Sequence, residues 1–205
     1  WEEFKNKVLK DIQYQKHIFD KATTDEIILL INQLNDSPEV HGILVQLPLP
    51  GGLDKHKILS AIALEKDVDF LNPQSFGQLL TDPDAGPCTP KGILRMLDEY
   101  NIGLTGRSVC IINHSDLIGK PLSLLLLNRK ATVSVCHDQT DDISRYTKGA
   151  DIVISATGVP GLITTDHVKE GVVIIDAGIK KTGNSVVGDI DISVQEKASY
   201  FTPVP

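Results

Sequence analysis

Val109-Cys110-Ile111-Ile112-Asn113-His114-Ser115-Asp116-Leu117-Ile118-Gly119-Lys120-Pro121-Leu122 is the stretch on which the fold turns. Val109 to Asn113 reads as a short apolar strand, Ser115 to Gly119 as a polar turn, and Pro121 to Leu127 as a leucine-rich helix. A unit of this kind aims backbone amides and the positive end of a helix dipole at one point, which suits a phosphate. Asp138 lies 138 − 119 = 19 residues beyond Gly119, at the tip of the next expected strand. In dinucleotide folds an acid about 20 residues past the glycine turn accepts hydrogen bonds from the adenosine ribose. The full GxGxxG fingerprint is absent, because Gly119 is the one glycine of this turn, and Ser115 offers a hydroxyl donor where an amide would stand. A carboxylate at 138 repels a ribose phosphate and favours NAD over NADP, although the same acid also fits a cap on the helix that follows.

Outward from that unit, strands are expected at 109–113, 131–136, 151–156 and 172–176, and helices at 119–129, 141–148 and 165–169. Strands alternating with helices imply a parallel sheet covered on both faces, doubly wound, with ligands at the carboxyl ends of its strands. Thr157-Gly158-Val159-Pro160 and Asp176-Ala177-Gly178-Ile179 both fall on that edge, where small residues let a nicotinamide ribose lie against backbone. Either glycine also fits an ordinary turn.

The first half is organised differently. Thr23 and Glu26 stand at capping-box spacing ahead of a helix ending near Asn35. Gly42 to Gln46 reads as a buried strand, stopped by Leu47-Pro48-Leu49-Pro50, and Lys55 to Ala63 as a helix leading into Lys66-Asp67-Val68-Asp69. Pro83 to Pro90 is rich in proline and glycine and marks a boundary, after which Thr89 as N-cap and Pro90 at the first helical position open a helix to about Tyr100. Gln46 and Asp69 close the two apolar segments of this half, and an amide and a carboxylate facing a cleft can orient a polar heterocycle. Each also fits a local turn cap.

With 205 residues, 41% of them hydrophobic, the chain can bury a core. A net charge of −7 without a Lys/Arg run speaks against nucleic acid or a membrane surface as partner. Three scattered cysteines, Cys88, Cys110 and Cys136, form no CxxC pair and suit a reducing compartment, so a location in the cytoplasm, or else in another reducing lumen, is expected. Cys110 and Cys136 sit in strand-like runs as core residues. His17, His41, His56 and His167 have no metal-ligand spacing, and no metal is expected. The chain opens inside an amphipathic helix, Trp1 to Ile12, and stops straight after a strand-like Tyr200-Phe201, so further elements are expected on each side.

From about Thr23 to Pro205 the chain resembles the bifunctional methylenetetrahydrofolate dehydrogenase/cyclohydrolase (FolD) family. The likeness is carried, in order, by Val45-Gln46-Leu47-Pro48-Leu49-Pro50, Glu65-Lys66-Asp67-Val68-Asp69, Pro87-Cys88-Thr89-Pro90-Lys91-Gly92, Ser115 with Ile118-Gly119 and Pro121, Cys136-His137, and Thr202-Pro203-Val204-Pro205. The resemblance implies two α/β domains with the active site in the cleft between them: a folate-binding catalytic domain over 1–88 and a Rossmann-like NAD(P)-binding domain over 89–205. Methylenetetrahydrofolate would lose hydride to the nicotinamide of NADP or NAD, and water would open the methenyl product to 10-formyltetrahydrofolate. Gln46 and Asp69 are the implied catalytic residues. Val45, Gln46, Leu47, Asp69 and Pro205 would line the folate, and Asn113, His114, Ser115, Gly119, Asp138, Thr157, Gly158, Gly178 and Ile179 the cofactor. A homodimer formed through the nucleotide domain is implied as well.

Departures accompany the likeness. The family's catalytic Tyr-x-x-x-Lys pair has no match ahead of Gln46; its place falls near Glu2 or Glu3, with Lys5 and Lys7 a turn away, so a segment carrying the pair is expected to be absent from the sequence. The usual Gly-Arg-Ser loop reads Asn113-His114-Ser115, without the arginine that would hold a ribose phosphate, and Asp138 stands where many members are neutral or basic. Phe70 replaces a usual glycine and Ser75 a usual asparagine. These features favour NAD and keep open a non-catalytic member that binds folate or nucleotide as a regulatory module. A different two-domain nicotinamide enzyme, of the amino-acid or shikimate dehydrogenase type, should lack the Gln46 and Asp69 segments.

Overall fold

The computed structural model describes residues 12–82, 85–183 and 185–204. The helix expected from Trp1, together with Lys5 and Pro205, lies outside the described residues.

Three short apolar runs, β1 (Ser108–Ile112), β3 (Ile152–Ser155) and β4 (Val172–Asp176), become the centre of the second half, with the more polar β2 (Thr132–Cys136) at its edge. With β7 (Ala198–Thr202) they form a five-stranded sheet in the order β2-β1-β3-β4-β7, and all of its pairs are parallel. β1 sends the chain outward to β2, and β3 returns on its other side, so the topological switch point lies between β1 and β3. Alternate residues feed two cores. Val109, Ile111, Ile152 and Ile154 pack with Ile93, Leu97, Leu122 and Leu126, while Cys110, Ile112, Val153 and Ile174 pack with Ile163, Val168 and Val194. Burial on both faces is why these strands read as continuous apolar runs.

The covering helices include α4 (Cys88–Glu99) and α5 (Gly119–Asn128) on one face. α4 departs from expectation at its start: Pro87 is the N-cap, and Thr89 lies inside the helix. Thr89 therefore caps nothing, and Pro90 is buried in the first turn, where the missing N–H costs no helical bond. α6 (Ser144–Thr147) is a single turn where a longer helix is expected, and the helix expected at 165–169 is a 3-10 turn, Thr165–His167. The hairpin of β5 (Lys180–Thr182) and β6 (Ser185–Val187) has no counterpart in the sequence reading.

In the first half, α1 (Thr24–Asp36) starts with the expected capping box, Thr23 and Glu26 each accepting the other's backbone amide. α2 (Lys55–Ser60) and α3 (Pro73–Gln78) follow. Gly42–Gln46 is not a strand: a single parallel bridge joins Ile43 to Asp67, and Leu44 and Gln46 are exposed. One apolar residue in two points inward there, too little for a buried strand. The core of this half is Ile31, Ile43, Ile58, Leu59, Ile62 and Leu71. Phe70, Phe76 and Leu79 pack instead into the core of the second half, so the two halves share an apolar seam. Phe70 holds a left-handed φ of 60°, a conformation that costs a non-glycine residue about 1 to 2 kcal/mol. Its packing against the neighbouring core offsets that strain.

α1 has no basic residue in its last turn, and Lys66 supplies one from across the fold. Its Nζ donates to the carbonyls of Leu34 (3.0 Å), Asn35 (2.6 Å) and Ser37 (2.8 Å). A cation on the carbonyls that close a helix is stabilising, and Lys66→Met should lower stability by about 2 to 3 kcal/mol in urea unfolding, with an unchanged denaturant slope.

Candidate functional site

The turn after β1 is built around Asn113. Its Oδ1 accepts from Ser115 N (2.8 Å), Ser115 Oγ (2.7 Å) and Gly119 N (2.9 Å), while its Nδ2 donates to Ala156 O (2.6 Å) across the switch point. One side chain thus ties the β1 turn, the start of α5 and the end of β3 together. Ser115 Oγ also accepts from Ile118 N. The hydroxyl expected to reach a phosphate is therefore used within the loop, as are the amides of Ser115, Ile118, Gly119 and Lys120. Gly119 is a steric requirement, since a Cβ there would lie 1.9 Å from Asn113 O and 2.8 Å from His114 Cα. Close approach of helix to strand is what a dinucleotide turn needs from this glycine.

At the ends of β1 and β2, His114 and His137 lie with ring centroids 5.2 Å apart and planes tilted by 57°. Asp138 Oδ1 sits 3.9 Å from His137 Nδ1, with its side chain 75% exposed. Among the described residues Asp138 caps no helix; the first amide of α6, Ser144 N, donates to Asp142. Asp138 Oδ2 accepts from the side chain of the neighbouring Gln139 (3.2 Å), and the carboxylate is otherwise open to solvent at the end of β2.

At the carboxyl ends of β3 and β4, Gly158 has a φ of +74°, and its Cα faces the carbonyl of Ile179, 3.5 Å from a Cβ built there. Gly178 is buried and Ile179 is 68% exposed. Beneath these turns lie two acids that sequence reasoning missed. Asp176 accepts from the amides of Gly178, Asp189 and Ile190, and burial, with Asp189 nearby, pushes its carboxyl above the ordinary value. Asp189 accepts from Ser155 and Thr157. The legible signal was the mirrored pairing of acid and glycine in Asp176-Ala177-Gly178 and Gly188-Asp189.

On the folate side, the bridge between Ile43 and Asp67 makes Gln46 and Asp69 emerge from the same end of two parallel segments. Gln46 is exposed, its Nε2 donating to the neighbouring Leu47 carbonyl (3.1 Å). Asp69 is half-buried, and burial first, then the Asp67 charge, raises its pKa. Asp67 is structural, its carboxylate accepting from the amides of Leu71 and Asn72. A crevice of about 460 Å³ is lined by Leu47, Pro48, Leu49, Leu53 and Lys55 from the first half and Leu117 from the nucleotide turn. Lys55 Nζ crosses it to Asp116 (2.9 Å), which also binds Lys120. Val45 and Leu47, on either side of Gln46, are both half-buried; of the expected folate-side residues Leu47 lines this crevice, and Val45, Gln46 and Asp69 do not.

The raised pKa of Asp69 has a pH signature. Its neutral form is favoured in the fold, so that contribution is intact below 3.8 and is lost as pH rises through the folded-state value. Asp69→Asn removes the ionisation; its melting temperature relative to the unaltered protein should climb with pH above 3.8 and then level off. A pH-independent difference would contradict this assignment.

Among the described residues no helix is long and apolar enough to cross a membrane, and no cluster of three His, Cys, Asp or Glu could hold a metal. His17, His41 and His56 are exposed, while His167 is bound to Thr164, and Cys110 and Cys136 are buried.

Fold and site together define a two-part α/β protein with a dinucleotide turn facing an apolar crevice. The family model described as tetrahydrofolate dehydrogenase/cyclohydrolase, catalytic domain, matches residues 4–69, and that for the NAD(P)-binding domain matches residues 87–205. The bifunctional protein FolD of Hydrogenobaculum sp. is 50% identical over 196 residues, covering 93% of this chain and 70% of that protein. The crystal structure of the bifunctional enzyme FolD, methylenetetrahydrofolate dehydrogenase/cyclohydrolase, from Campylobacter jejuni superposes with a TM-score of 0.91 at 43% identity, covering 99% of this chain and 74% of that one. The Trypanosoma brucei FolD, complexed with NADP cofactor and inhibitor, has a TM-score of 0.85 at 35% identity, with 90% and 67% covered. The chain belongs to the tetrahydrofolate dehydrogenase/cyclohydrolase family.

Proposed function

We propose that the protein oxidises methylenetetrahydrofolate to methenyltetrahydrofolate with a nicotinamide nucleotide and hydrolyses the product to 10-formyltetrahydrofolate, a step of one-carbon metabolism. The observation that carries this reading is the shared crevice, in which Leu47, next to Gln46, faces Leu117 of the nucleotide turn. The cofactor fits the turn because Gly119 lets α5 approach Asn113 as closely as a dinucleotide turn requires and because Gly158 leaves a side-chain-free patch at the carboxyl edge. When bound, the oxidised nicotinamide takes up the two electrons and the hydrogen removed from the folate methylene.

The chain's own residues divide the remaining work. Asn113, His114, Ser115 and Gly119 would shape the phosphate and ribose turn, Asp138 would accept from the adenosine ribose hydroxyls, and Thr157, Gly158, Gly178 and Ile179 would wall the nicotinamide side. Asp69, whose proton is held more firmly than an exposed carboxyl's, can accept from an amino group of the pterin or donate to a ring nitrogen. Gln46 presents an amide to the reacting end, with Val45 and Leu47 against the ring. The Leu-Pro-Leu-Pro segment gives the crevice an apolar wall against which the ring would pack.

The folate-binding domain is assigned to 1–88 and the nucleotide domain to 89–205. NAD is the preferred cofactor, since Asp138 stands where a ribose phosphate would need a cation. A cytoplasmic homodimer is the expected state. With methylenetetrahydrofolate present, absorbance of reduced nicotinamide should rise on adding NAD; traces flat with both NAD and NADP would reject the function.

A further inference from the structure

Asp189 is fully buried and stands in no ion pair among the described residues. Its Oδ2 accepts three hydrogen bonds, from Ser155 Oγ (2.6 Å), Thr157 N (2.6 Å) and Thr157 Oγ1 (2.9 Å). Its Oδ1 has no hydrogen-bond partner and abuts Gly178, where a Cβ would lie 2.1 Å from it. Its backbone amide donates to Asp176 Oδ1 (3.1 Å), the same oxygen that accepts from Gly178 N (3.0 Å). A single residue thus touches the turn after β3 and the turn after β4.

From this geometry we infer that Asp189 is a positioning residue for the nicotinamide half of the cofactor, locking the Thr157–Gly158 turn against the Gly178–Ile179 turn as one wall. The inference rests on the nicotinamide site proposed above. Burying a carboxylate is costly without compensating donors, and an apolar side chain could fill the same volume at lower cost. An apolar side chain could not hold Thr157 by both its amide and its hydroxyl. Gly178, whose missing side chain brings the second turn onto Asp189, leaves no room for a Cβ beside that carboxylate. Thr157 is exposed at the sheet edge and bound from beneath, so its backbone conformation is set by Asp189 and not by its own packing.

A role in general stability would weaken both halves of the cofactor alike, whereas a positioning role weakens one. Calorimetric titration with NAD and, separately, with ADP distinguishes them. Asp189→Ala should lose at least tenfold in NAD affinity while ADP affinity stays within twofold. Asp189→Asn should recover most of the loss, because its amide oxygen can still accept from Ser155 and Thr157. Thr157→Val, which keeps the shape and removes the hydroxyl, should lose NAD affinity in the same sense but less. Equal losses for NAD and ADP, or unchanged NAD affinity in Asp189→Ala, would overturn the inference. If Asp189→Ala does not fold, Thr157→Val decides, and unchanged NAD affinity overturns it. If the unaltered protein binds ADP and NAD but the variants change neither, the inference alone fails; if it binds neither ligand, the proposed function fails first and takes the inference with it.

Discussion

Gly119→Ala should reduce nucleotide affinity by at least about 100-fold and lower the melting temperature by about 6 to 12 °C, the shift expected for about 3 kcal/mol in a chain of this length. The added methyl would sit 1.9 Å from Asn113 O and 2.4 Å from its carbonyl carbon, and both atoms belong to backbone at the end of β1. No rotamer change can clear them. Either α5 moves away from the sheet, which breaks the 2.9 Å bond from Gly119 N to Asn113 Oδ1, or the β1 turn moves and takes the Asn113 link to Ala156 with it. Both routes spoil the turn against which phosphates would lie. Gly149→Ala is the matched control, because its Cβ meets nothing within 4 Å. Calorimetric nucleotide titration and a thermal melt of both variants check this; a Gly119→Ala protein that binds normally would mean that the turn is not the phosphate site.

Cofactor choice should reverse in the double variant Asp138→Ser with His114→Arg. Removing an anion and supplying a cation each change the free energy of a ribose phosphate by about 1 to 3 kcal/mol, the range for hydrogen bonds to charged groups. Together they should raise NADP affinity by about 100-fold or more, since each 1.4 kcal/mol is tenfold. NAD affinity should fall modestly, because Asp138→Ser weakens the ribose hydroxyl contact. His114 already lies beside His137, whose ring is 3.9 Å from Asp138, so the longer side chain of an arginine at 114 should reach that space. Separate titrations with NAD and NADP read the outcome, and an unchanged NADP affinity would mean that the adenosine ribose does not sit here.

The order of strands and helices in the second half was legible because a parallel strand buried on both faces is a continuous apolar run, and Val109–Ile112, Ile152–Ile154 and Val172–Ile175 are such runs. The first half was read less well. Gly42–Gln46 looked like a strand by composition, but Leu44 and Gln46 face outward and only Ile43 pairs. Thr89 looked like an N-cap by type, yet the chain enters α4 two residues earlier. Local chemistry predicted the capping box at Thr23 correctly because its partners are three residues apart.

What the amino-acid sequence determined by itself is everything that depends on near neighbours: the β/α alternation, the glycine turn at 119, the acid 19 residues later, and the family motifs around Gln46 and Asp69. Tertiary structure alone decided that Asn113 would bind Ala156 across 43 residues, that Lys55 would reach Asp116 across 61, and that Asp189 would hold Thr157 across 32. Those pairings depend on strand order and on which helix covers which face, properties of the whole packed chain that no local window of residues carries.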